Sequence, residues 1–165
     1  MTDVPRLLVV HHSPTRSMQA LTEAVLAGAH DPALEDVDVV AVAALKATAA
    51  DVLAADGYVL GSTANFGYMS GAMKHFFDTT FLQVGGALDE HGGASESAGA
   101  TAKRPFGLYV HGRYDSTGAV RSILSITGAL GWRQSAAPHE VLGDVDDAAT
   151  QRAYELGATI AALLL

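Results

Sequence analysis

Residues 61–77 carry side chains suited to binding a flat ring with polar edges. The segment reads Gly-Ser-Thr-Ala-Asn-Phe-Gly-Tyr-Met-Ser-Gly-Ala-Met-Lys-His-Phe-Phe and follows the apolar run Tyr58–Leu60. Backbone amides and the Asn65 side chain can bond the edge of a ring, while apolar side chains cover its face. The residue types therefore predict a pocket for a flat ligand after this run.

Another candidate segment is His11–Met18, which precedes a predicted helix. It offers the hydroxyls of Ser13, Thr15 and Ser17 and the guanidinium of Arg16, and it contains no carboxylate. Free N–H groups and the dipole at a helix N-terminus favour an anion, by up to about 2 kcal/mol. The alternative is that one of the hydroxyls simply caps the helix. The residues alone leave both a phosphate cradle and a helix cap open.

The third candidate segment is residues 111–118, which read His-Gly-Arg-Tyr-Asp-Ser-Thr-Gly. Gly112 permits close backbone approach, and Tyr114 can stack on a ring. The alternative is an ordinary turn in which Asp115 or Ser116 caps the next helix.

Composition excludes several kinds of site. The chain has no cysteine, so disulfides, thiolate nucleophiles and Cys-ligated metals are ruled out. His11, His12 and His111 lie near predicted strand ends without a carboxylate at ligand spacing, and we predict no metal site. The formal net charge of −8 argues against nucleic-acid binding. No G-x-G-x-x-G or Walker sequence occurs, which argues against a dinucleotide or triphosphate site.

The N-terminal residues show no signal peptide, and no apolar run is long enough to span a bilayer. We therefore expect a cytoplasmic protein that forms one domain over residues 1–165 and has no membrane partner.

The three segments need strands and helices to position them, and the hydrophobic pattern predicts these in alternation. Strands are predicted at residues 7–11, 37–42, 58–61 and 106–110, with a weak fifth strand between 132 and 142. Helices are predicted at about 17–29, around 51–55, and at about 70–81, 120–130 and 153–164. This alternation predicts an α/β fold with a parallel sheet covered by helices on both faces.

The order of the strands decides whether the three segments can share a ligand. Ligands of open α/β sheets bind beyond the carboxyl ends of the strands, and the segments follow predicted strands one, three and four. These strands are neighbours in the order 2-1-3-4-5, whereas strand three would be remote from strand four in the order 3-2-1-4-5-6. If the segments share one ligand, the first order is the one that fits.

Two further features predict contacts outside this site. Residues 85–103 are rich in Gly, Ala and Ser without periodicity, which predicts a lid, a contact loop or a disordered insertion. The third helix region carries more apolar residues than one core-facing stripe needs, and we expect some of them to pair subunits in a homo-oligomer. These residues are Met69, Met73, Phe76, Phe77 and Phe81.

The chain resembles the flavodoxin-like FMN proteins, specifically the branch of NAD(P)H-dependent FMN reductases and quinone reductases. Residues 61–74 look like that branch's flavin loop, GSPTYFGNMSGQMK, and residues 13–17 are similar to its phosphate loop. The resemblance covers nearly the whole chain. It departs from the branch at Ala64, where the branch often has the Pro-Thr-Tyr part of its flavin loop. It also departs at Arg113–Asp115, which replace a Gly- and Ser-rich run.

The resemblance implies a flavodoxin-like three-layer sandwich with a five-stranded parallel sheet in the order 2-1-3-4-5, and FMN as the cofactor. Numbered in chain order, the first segment (Ser13–Met18) would hold the phosphate, the second (Thr63–Met69) would line the isoalloxazine ring, and the third (His111–Asp115) would close its other side. The implied cofactor-binding residues are Ser13, Thr15, Arg16, Ser17, Met18, Thr63, Ala64, Asn65, Phe66, Gly67, Met69, His111, Gly112, Arg113, Tyr114 and Asp115. One phosphate cradle without a second favours FMN over FAD. The flavin would be the reactive group, so no catalytic protein residue is expected.

Charge then favours one kind of flavin chemistry. The three segments contain one acid, Asp115, and two cations, Arg16 and Arg113. Dedicated one-electron flavodoxins surround their flavin with carboxylates, whereas a cation near the ring stabilises an anionic reduced flavin. Arg113 is a candidate for that role or for binding a nicotinamide phosphate, with an ordinary surface arginine as the alternative. Tyr114 and Phe66 are candidate walls of a flat acceptor site, with core packing as the alternative for Phe66.

We therefore expect an oxidoreductase that passes hydride from NADPH or NADH through FMN to a quinone, a free flavin or a similar small acceptor. The alternative is a flavodoxin-type electron carrier, or an FMN-binding module without NAD(P)H turnover of its own.

Overall fold

Strands and helices alternate in the computed structural model, which describes residues 3–93 and 99–165. The strands are β1 (Arg6–His11), β2 (Asp38–Ala43), β3 (Gly57–Asn65), β4 (Tyr68–Met69), β5 (Pro105–Gly112), β6 (Arg133–Gln134) and β7 (His139–Leu142). The helices are α1 (Arg16–Ala29), α2 (Ala49–Ala54), α3 (Gly71–Thr80), α4 (Thr117–Ala129) and α5 (Asp147–Ala162), with a 3-10 turn at Pro32–Leu34. None of the helices in the described ranges combines the length and apolar character that crossing a membrane needs.

The strand order confirms the predicted sheet. Strands β2, β1, β3 and β5 are parallel neighbours in that order, and both β6 and β7 pair in parallel with β5. The short β6 pairs with the start of β5 and β7 pairs with its end. The weak fifth strand of the sequence is thus one edge strand broken at residues 135–138, where Pro138 has no N–H for the ladder.

Helices cover both faces of the sheet, which makes three layers. In β1, Leu8 and Val10 belong to the core beneath α2, α3 and α4, whereas Leu7 and Val9 belong to the core beneath α1 and α5. All four side chains are buried. A continuous apolar run in place of alternation is what a parallel strand covered on both faces requires.

Two glycines let α1 and α5 touch through their backbones. A Cβ atom added to Gly28 would lie 1.9 Å from the carbonyl oxygen of Tyr154, and one added to Gly157 would lie 2.0 Å from that of Val25. Glycine at these two positions therefore lets the helices approach more closely than a residue with a side chain would permit.

The additional apolar side chains of the third helix region pack into the hydrophobic core. Met73, Phe76 and Phe77 of α3 are buried, Met69 in β4 is buried as well, and the half-buried Phe81 packs against the same cluster. These side chains do not offer the subunit interface that the sequence suggested. The homo-oligomer stays a prediction with no surface assigned to it.

The segment 85–103 is anchored at the amino end of β5. The hydroxyl of Thr101 donates to the carbonyl oxygen of Val84 at 2.7 Å and accepts from Nε1 of Trp132 at 2.9 Å. The N–H of Lys103 donates to Gly131 at 2.7 Å. This base lies at the sheet edge opposite the carboxyl ends of the strands, a position that does not suit a lid over them. Residues 94–98, on which the rest of that prediction falls, lie outside the described residues.

Candidate functional site

The segment after the third predicted strand is a β-hairpin rather than a loop. Strand β3 continues to Asn65, the chain turns at Phe66 and Gly67, and β4 returns antiparallel to it. Both turn residues have positive φ, 51° for Phe66 and 81° for Gly67. A two-residue hairpin turn with positive φ at both positions is of type I′. This turn was not predicted from the sequence, because Phe is an uncommon residue in the left-handed region.

Contacts at its base hold the hairpin in place. The N–H of Ser70 donates to Oγ of Ser62 at 3.0 Å, and Oγ of Ser70 accepts from the N–H of Met73 at 3.0 Å, which caps α3. The tip rests on the start of α4, where a Cβ atom at Gly118 would lie 2.5 Å from the Gly67 carbonyl oxygen. The tip is therefore fixed between two helices.

A cleft of about 590 Å³ lies at the carboxyl ends of β1, β3 and β5. Its volume is within the range of about 300–1,000 Å³ that small-molecule sites occupy. Its lining comes from all three predicted segments and consists of Thr15, Ser17, Thr63, Ala64, Asn65, Phe66, Gly67, His111, Gly112, Arg113, Tyr114 and Asp115. The strand order thus brings the three segments to one place.

Four predicted site residues do not line this cleft. Met18 and Met69 are core residues on opposite faces of the sheet, with side chains at most 2% exposed. Ser13 turns its hydroxyl toward α1, and Arg16 is an exposed residue at the first position of that helix. The periodicity that places a helix also turns Met18 inward, because residues 18, 21 and 25 share its buried face.

A chain of hydrogen bonds accounts for the position of Ser13. Its Oγ lies 2.9 Å from Nδ1 of His11 and 2.8 Å from Oγ1 of Thr22, which lies 2.7 Å from the hydroxyl of Tyr109. Burial raises the pKa of the Tyr109 hydroxyl, and burial together with neighbouring His12 lowers the pKa of His11. The network ties the first segment to α1 and β5. Thr22 was not singled out in the sequence, where it reads only as part of a helix.

Thr15 fits both interpretations of the first segment, the helix cap and the phosphate cradle. Its Oγ1 accepts a hydrogen bond from the N–H of Met18 at 3.2 Å, so Thr15 is the N-cap of α1. Thr15 and Ser17 also line the cleft. A capping hydroxyl uses an acceptor lone pair and keeps its own O–H free to donate. The N-terminus of α1 therefore presents hydroxyl donors and the positive end of a helix dipole to the cleft.

Thr63 carries an unpartnered polar atom in the cleft wall. Its side chain is 6% exposed, and its Oγ1 is the one fully buried side-chain nitrogen or oxygen without a hydrogen-bond partner within residues 3–93 and 99–165. Buried polar atoms in native proteins are nearly always paired. Because Thr63 lines the cleft, the position of its hydroxyl suits a hydrogen bond to a ligand.

Two fully exposed aromatic side chains stand at the rim of the cleft. Phe66 at the hairpin tip is fully exposed, and Tyr114 after β5 is 93% exposed. The alternative that Phe66 packs in the core is therefore wrong. Aromatic rings left in water on two separate lining segments are suited to covering a flat ligand.

The charges at the cleft are more balanced than the sequence suggested. Nη1 of Arg113 lies 3.1 Å from a carboxylate oxygen of Asp144 in an exposed pair. The N–H and hydroxyl of Thr117, which bond Asp115, lower the pKa of that carboxyl and favour its ionised form. One paired arginine and one ionised aspartate thus replace the expected excess of cations.

Two of the histidines near the strand ends, His11 and His111, have side chains engaged in hydrogen bonds. His11 contacts Ser13, and Nε2 of His111 lies 2.7 Å from the carbonyl oxygen of Gly143. No group of three or more His, Asp or Glu side chains that could hold a metal ion occurs in the part of the chain that the structure describes.

Comparison with known sequences gives one partial match. No family model matches the chain. A stretch of 84 residues is 36% identical to a flavodoxin from Aquifex aeolicus and makes up 51% of this chain. The match covers 44% of the length of that curated relative, less than half of it.

Comparison with solved structures covers the fold as a whole. The chain is similar to flavodoxin 1 from Bacillus cereus (TM-score 0.76, 12% identity, 97% of this chain and 99% of that one). It is similar to a flavodoxin from the domain Archaea (TM-score 0.75, 18% identity, 96% and 98%). It is also similar to a WrbA-like flavodoxin from Agrobacterium tumefaciens (TM-score 0.71, 17% identity, 97% and 97%). The fold is therefore flavodoxin-like.

Proposed function

We propose that the cleft binds FMN and that the protein is an FMN-dependent oxidoreductase. One observation carries this proposal: a single cleft joins hydroxyls at a helix N-terminus to two exposed aromatic walls. FMN consists of a phosphate, a polyol chain and a flat ring, and these groups match the two ends of the cleft. The solved proteins that share this fold are described as flavodoxins and a WrbA-like flavodoxin, which supports the same ligand.

In this proposal Thr15, Ser17 and the free N–H groups of α1 hold the phosphate. Phe66 and Tyr114 cover the ring. The bound flavin supplies the electron chemistry, while the protein binds it, orients it and sets the charge around it.

The electron donor we propose is NADPH or NADH, and the acceptor is a quinone, a free flavin or a similar flat molecule. Asp115 is the one carboxylate among the lining residues, whereas carboxylates crowd the flavin of dedicated carriers in this family. The rim is open at Phe66 and Tyr114, which leaves room for a second flat molecule to approach. The stretch at residues 61–74 that resembles the reductase branch supports the same assignment.

A one-electron carrier is the second candidate, and specific observations favour it. Arg113 is paired with Asp144, so its charge is not free to stabilise an anionic reduced flavin. The curated protein that matches half of the chain is a flavodoxin.

Removing the hydroxyls of the phosphate cradle is expected to weaken FMN binding. In a Thr15→Ala, Ser17→Ala variant we expect FMN affinity to fall about tenfold or more, because hydrogen bonds to a charged group contribute roughly 1.5–3 kcal/mol each. Quenching of flavin fluorescence during titration of the flavin-free protein measures this affinity. Loss of a cap also lowers stability by about 1 kcal/mol, which calls for a matched control.

Thr48→Ala is that control, since Thr48 caps α2 and does not line the cleft. It is expected to cost similar stability and to leave FMN affinity unchanged. Riboflavin, which lacks the phosphate, is expected to bind the Thr15/Ser17 variant as well as the unaltered protein. Unchanged FMN affinity in that variant would show that the first segment only caps α1, and no uptake of FMN by the unaltered protein would refute the proposal.

Anaerobic reduction separates the two candidate functions. We expect NADPH or NADH to bleach the absorbance of the FMN-loaded protein near 450 nm, and an added quinone to restore it. If neither nucleotide bleaches the protein while dithionite does, the reductase proposal fails and the carrier remains.

A further inference from the structure

Thr63 and His111 lie side by side on the floor of the cleft. They are partners in the register of the parallel strands β3 and β5, and side chains in register point to the same face of a sheet. Both line the cleft, and both are more than nine-tenths buried, with 6% and 7% of their surface exposed. Any ligand that reaches the sheet edge between the two strands meets both side chains.

The contact with Gly143 fixes the tautomer of His111. Its Nε2 lies 2.7 Å from the Gly143 carbonyl oxygen, which can only accept, so Nε2 carries the hydrogen. In the neutral ring Nδ1 then holds a lone pair and acts only as an acceptor. Nδ1 has no hydrogen-bond partner among the described residues. Thr63 Oγ1 is likewise without a partner among them, and both residues line the cleft.

Three other polar side chains of the cleft already make a hydrogen bond or an ion pair within the protein, and the polar side chains of Ser17, Asn65 and Tyr114 belong to residues that are not buried. Thr15 caps α1, Arg113 pairs with Asp144, and Asp115 accepts from Thr117. The buried pair consists of an acceptor, Nδ1 of His111, and a hydroxyl that can donate and accept, Oγ1 of Thr63. A ligand group that both donates and accepts satisfies the two at once, and an alcohol hydroxyl is such a group.

We infer that Thr63 and His111 together bind a hydroxyl of the ligand's polyol chain, which donates to Nδ1 of His111 and accepts from the hydroxyl of Thr63. This inference rests on the proposed function, in which the ligand is FMN. The position of the pair supports it. Phe66 and Tyr114 each lie three residues further along the chain, at most about 10 Å of extended backbone, and the phosphate cradle follows the neighbouring strand β1. The part of FMN between its phosphate and its ring is the polyol.

Two substitutions of His111 separate its contact with the ligand from its contact with Gly143. A Gln side chain places its amide near the former Nε2, so His111→Gln keeps a donor for the Gly143 carbonyl and removes the acceptor at Nδ1. An Asn side chain reaches only to the former Nδ1, so His111→Asn keeps an acceptor there and loses the bond to Gly143. Thr63→Val removes the hydroxyl and keeps the shape of the side chain.

The experiment measures dissociation constants of these variants for FMN, riboflavin and lumiflavin by fluorescence titration, together with urea unfolding of the flavin-free proteins. We expect His111→Gln and Thr63→Val each to bind FMN and riboflavin about five- to tenfold more weakly, which corresponds to one uncharged hydrogen bond. Lumiflavin has the ring but no polyol, and its affinity is expected to stay unchanged. His111→Asn is expected to retain more FMN affinity than His111→Gln and to unfold at lower urea concentration.

Two results would overturn the inference. FMN affinity of His111→Gln equal to that of the unaltered protein would assign His111 a purely structural role. An equal loss of affinity for lumiflavin would show that the pair contacts the ring and not the polyol. Failure of the proposed function is a separate outcome, because it appears as the absence of FMN binding by the unaltered protein.

Discussion

Replacing Gly157 by alanine is expected to lower the free energy of unfolding by about 3 kcal/mol, the upper end of the usual effect of overpacking. The new Cβ atom would lie 2.0 Å from the carbonyl oxygen of Val25, which belongs to the backbone of α1 and cannot rotate away. The helices would have to separate, and buried contacts such as those of Leu21 and Ile160 would loosen. Gly28→Ala is expected to act in the same way, because its Cβ atom would meet the backbone of Tyr154.

The matched control is Gly128→Ala in α4. A Cβ atom at Gly128 has no neighbour within 4 Å, so alanine meets no obstacle there. Because glycine is a poor helix former, this substitution is expected to raise stability by roughly 0.5–1 kcal/mol. Urea denaturation of the three variants measures the difference. A Gly157→Ala protein as stable as the Gly128→Ala protein would contradict the close contact between α1 and α5.

The sheet was predictable from the sequence because both faces of the central strands β1, β3 and β5 are covered. A short β-branched and aliphatic run such as Leu7–Val10, bounded by prolines, indicates a buried strand, and alternation with amphipathic helices then predicts a parallel sheet. The close contact of α1 with α5 could not be predicted in the same way. It depends on Gly28 meeting Tyr154 and on Gly157 meeting Val25, which are 126 and 132 positions away in the sequence, and a helical glycine on its own signals only lower helix propensity.

The segments that form the candidate site could be predicted from the sequence, but the hydrogen-bond partners of individual side chains could not. Strand order alone brings the three segments to one sheet edge, so residues such as Thr15, Thr63 and His111 were found by position. Which hydroxyl caps a helix, and which one turns inward, depends on partners remote in sequence, as with Ser13 and Thr22. The pairing of Arg113 with Asp144 is of the same kind, since these residues meet only when the loops after β5 and β7 are adjacent.

Phe66 is where local preference and the structure disagree most. The first position of a type I′ turn needs positive φ, for which Asn-Gly is the preferred pair, whereas this chain has Phe-Gly. A non-glycine residue in the left-handed region costs about 1–2 kcal/mol. Burial of the ring does not offset this free-energy cost, because the side chain is fully exposed. Strain retained at a cleft points to a role in binding.

Phe66→Asn is therefore expected to change stability and binding in opposite directions. Asparagine adopts the left-handed region readily, so the free energy of unfolding of the flavin-free protein is expected to rise by about 1 kcal/mol. Loss of the aromatic wall is expected to weaken FMN binding about 10- to 100-fold, since stacking of a heteroaromatic base on an aromatic side chain contributes roughly 1–3 kcal/mol. Urea denaturation and fluorescence titration measure the two quantities independently.

Tyr114→Asn is the control that separates strain from stacking. Tyr114 is an exposed aromatic residue on the opposite segment, and its φ is not positive. Its replacement is expected to weaken FMN binding without stabilising the flavin-free protein. A Phe66→Asn protein that binds FMN as tightly as the unaltered one would show that the ring at the hairpin tip does not cover the flavin. Because the turn favours asparagine and the ligand favours an aromatic ring, the rise in stability and the loss of affinity are expected together only at position 66.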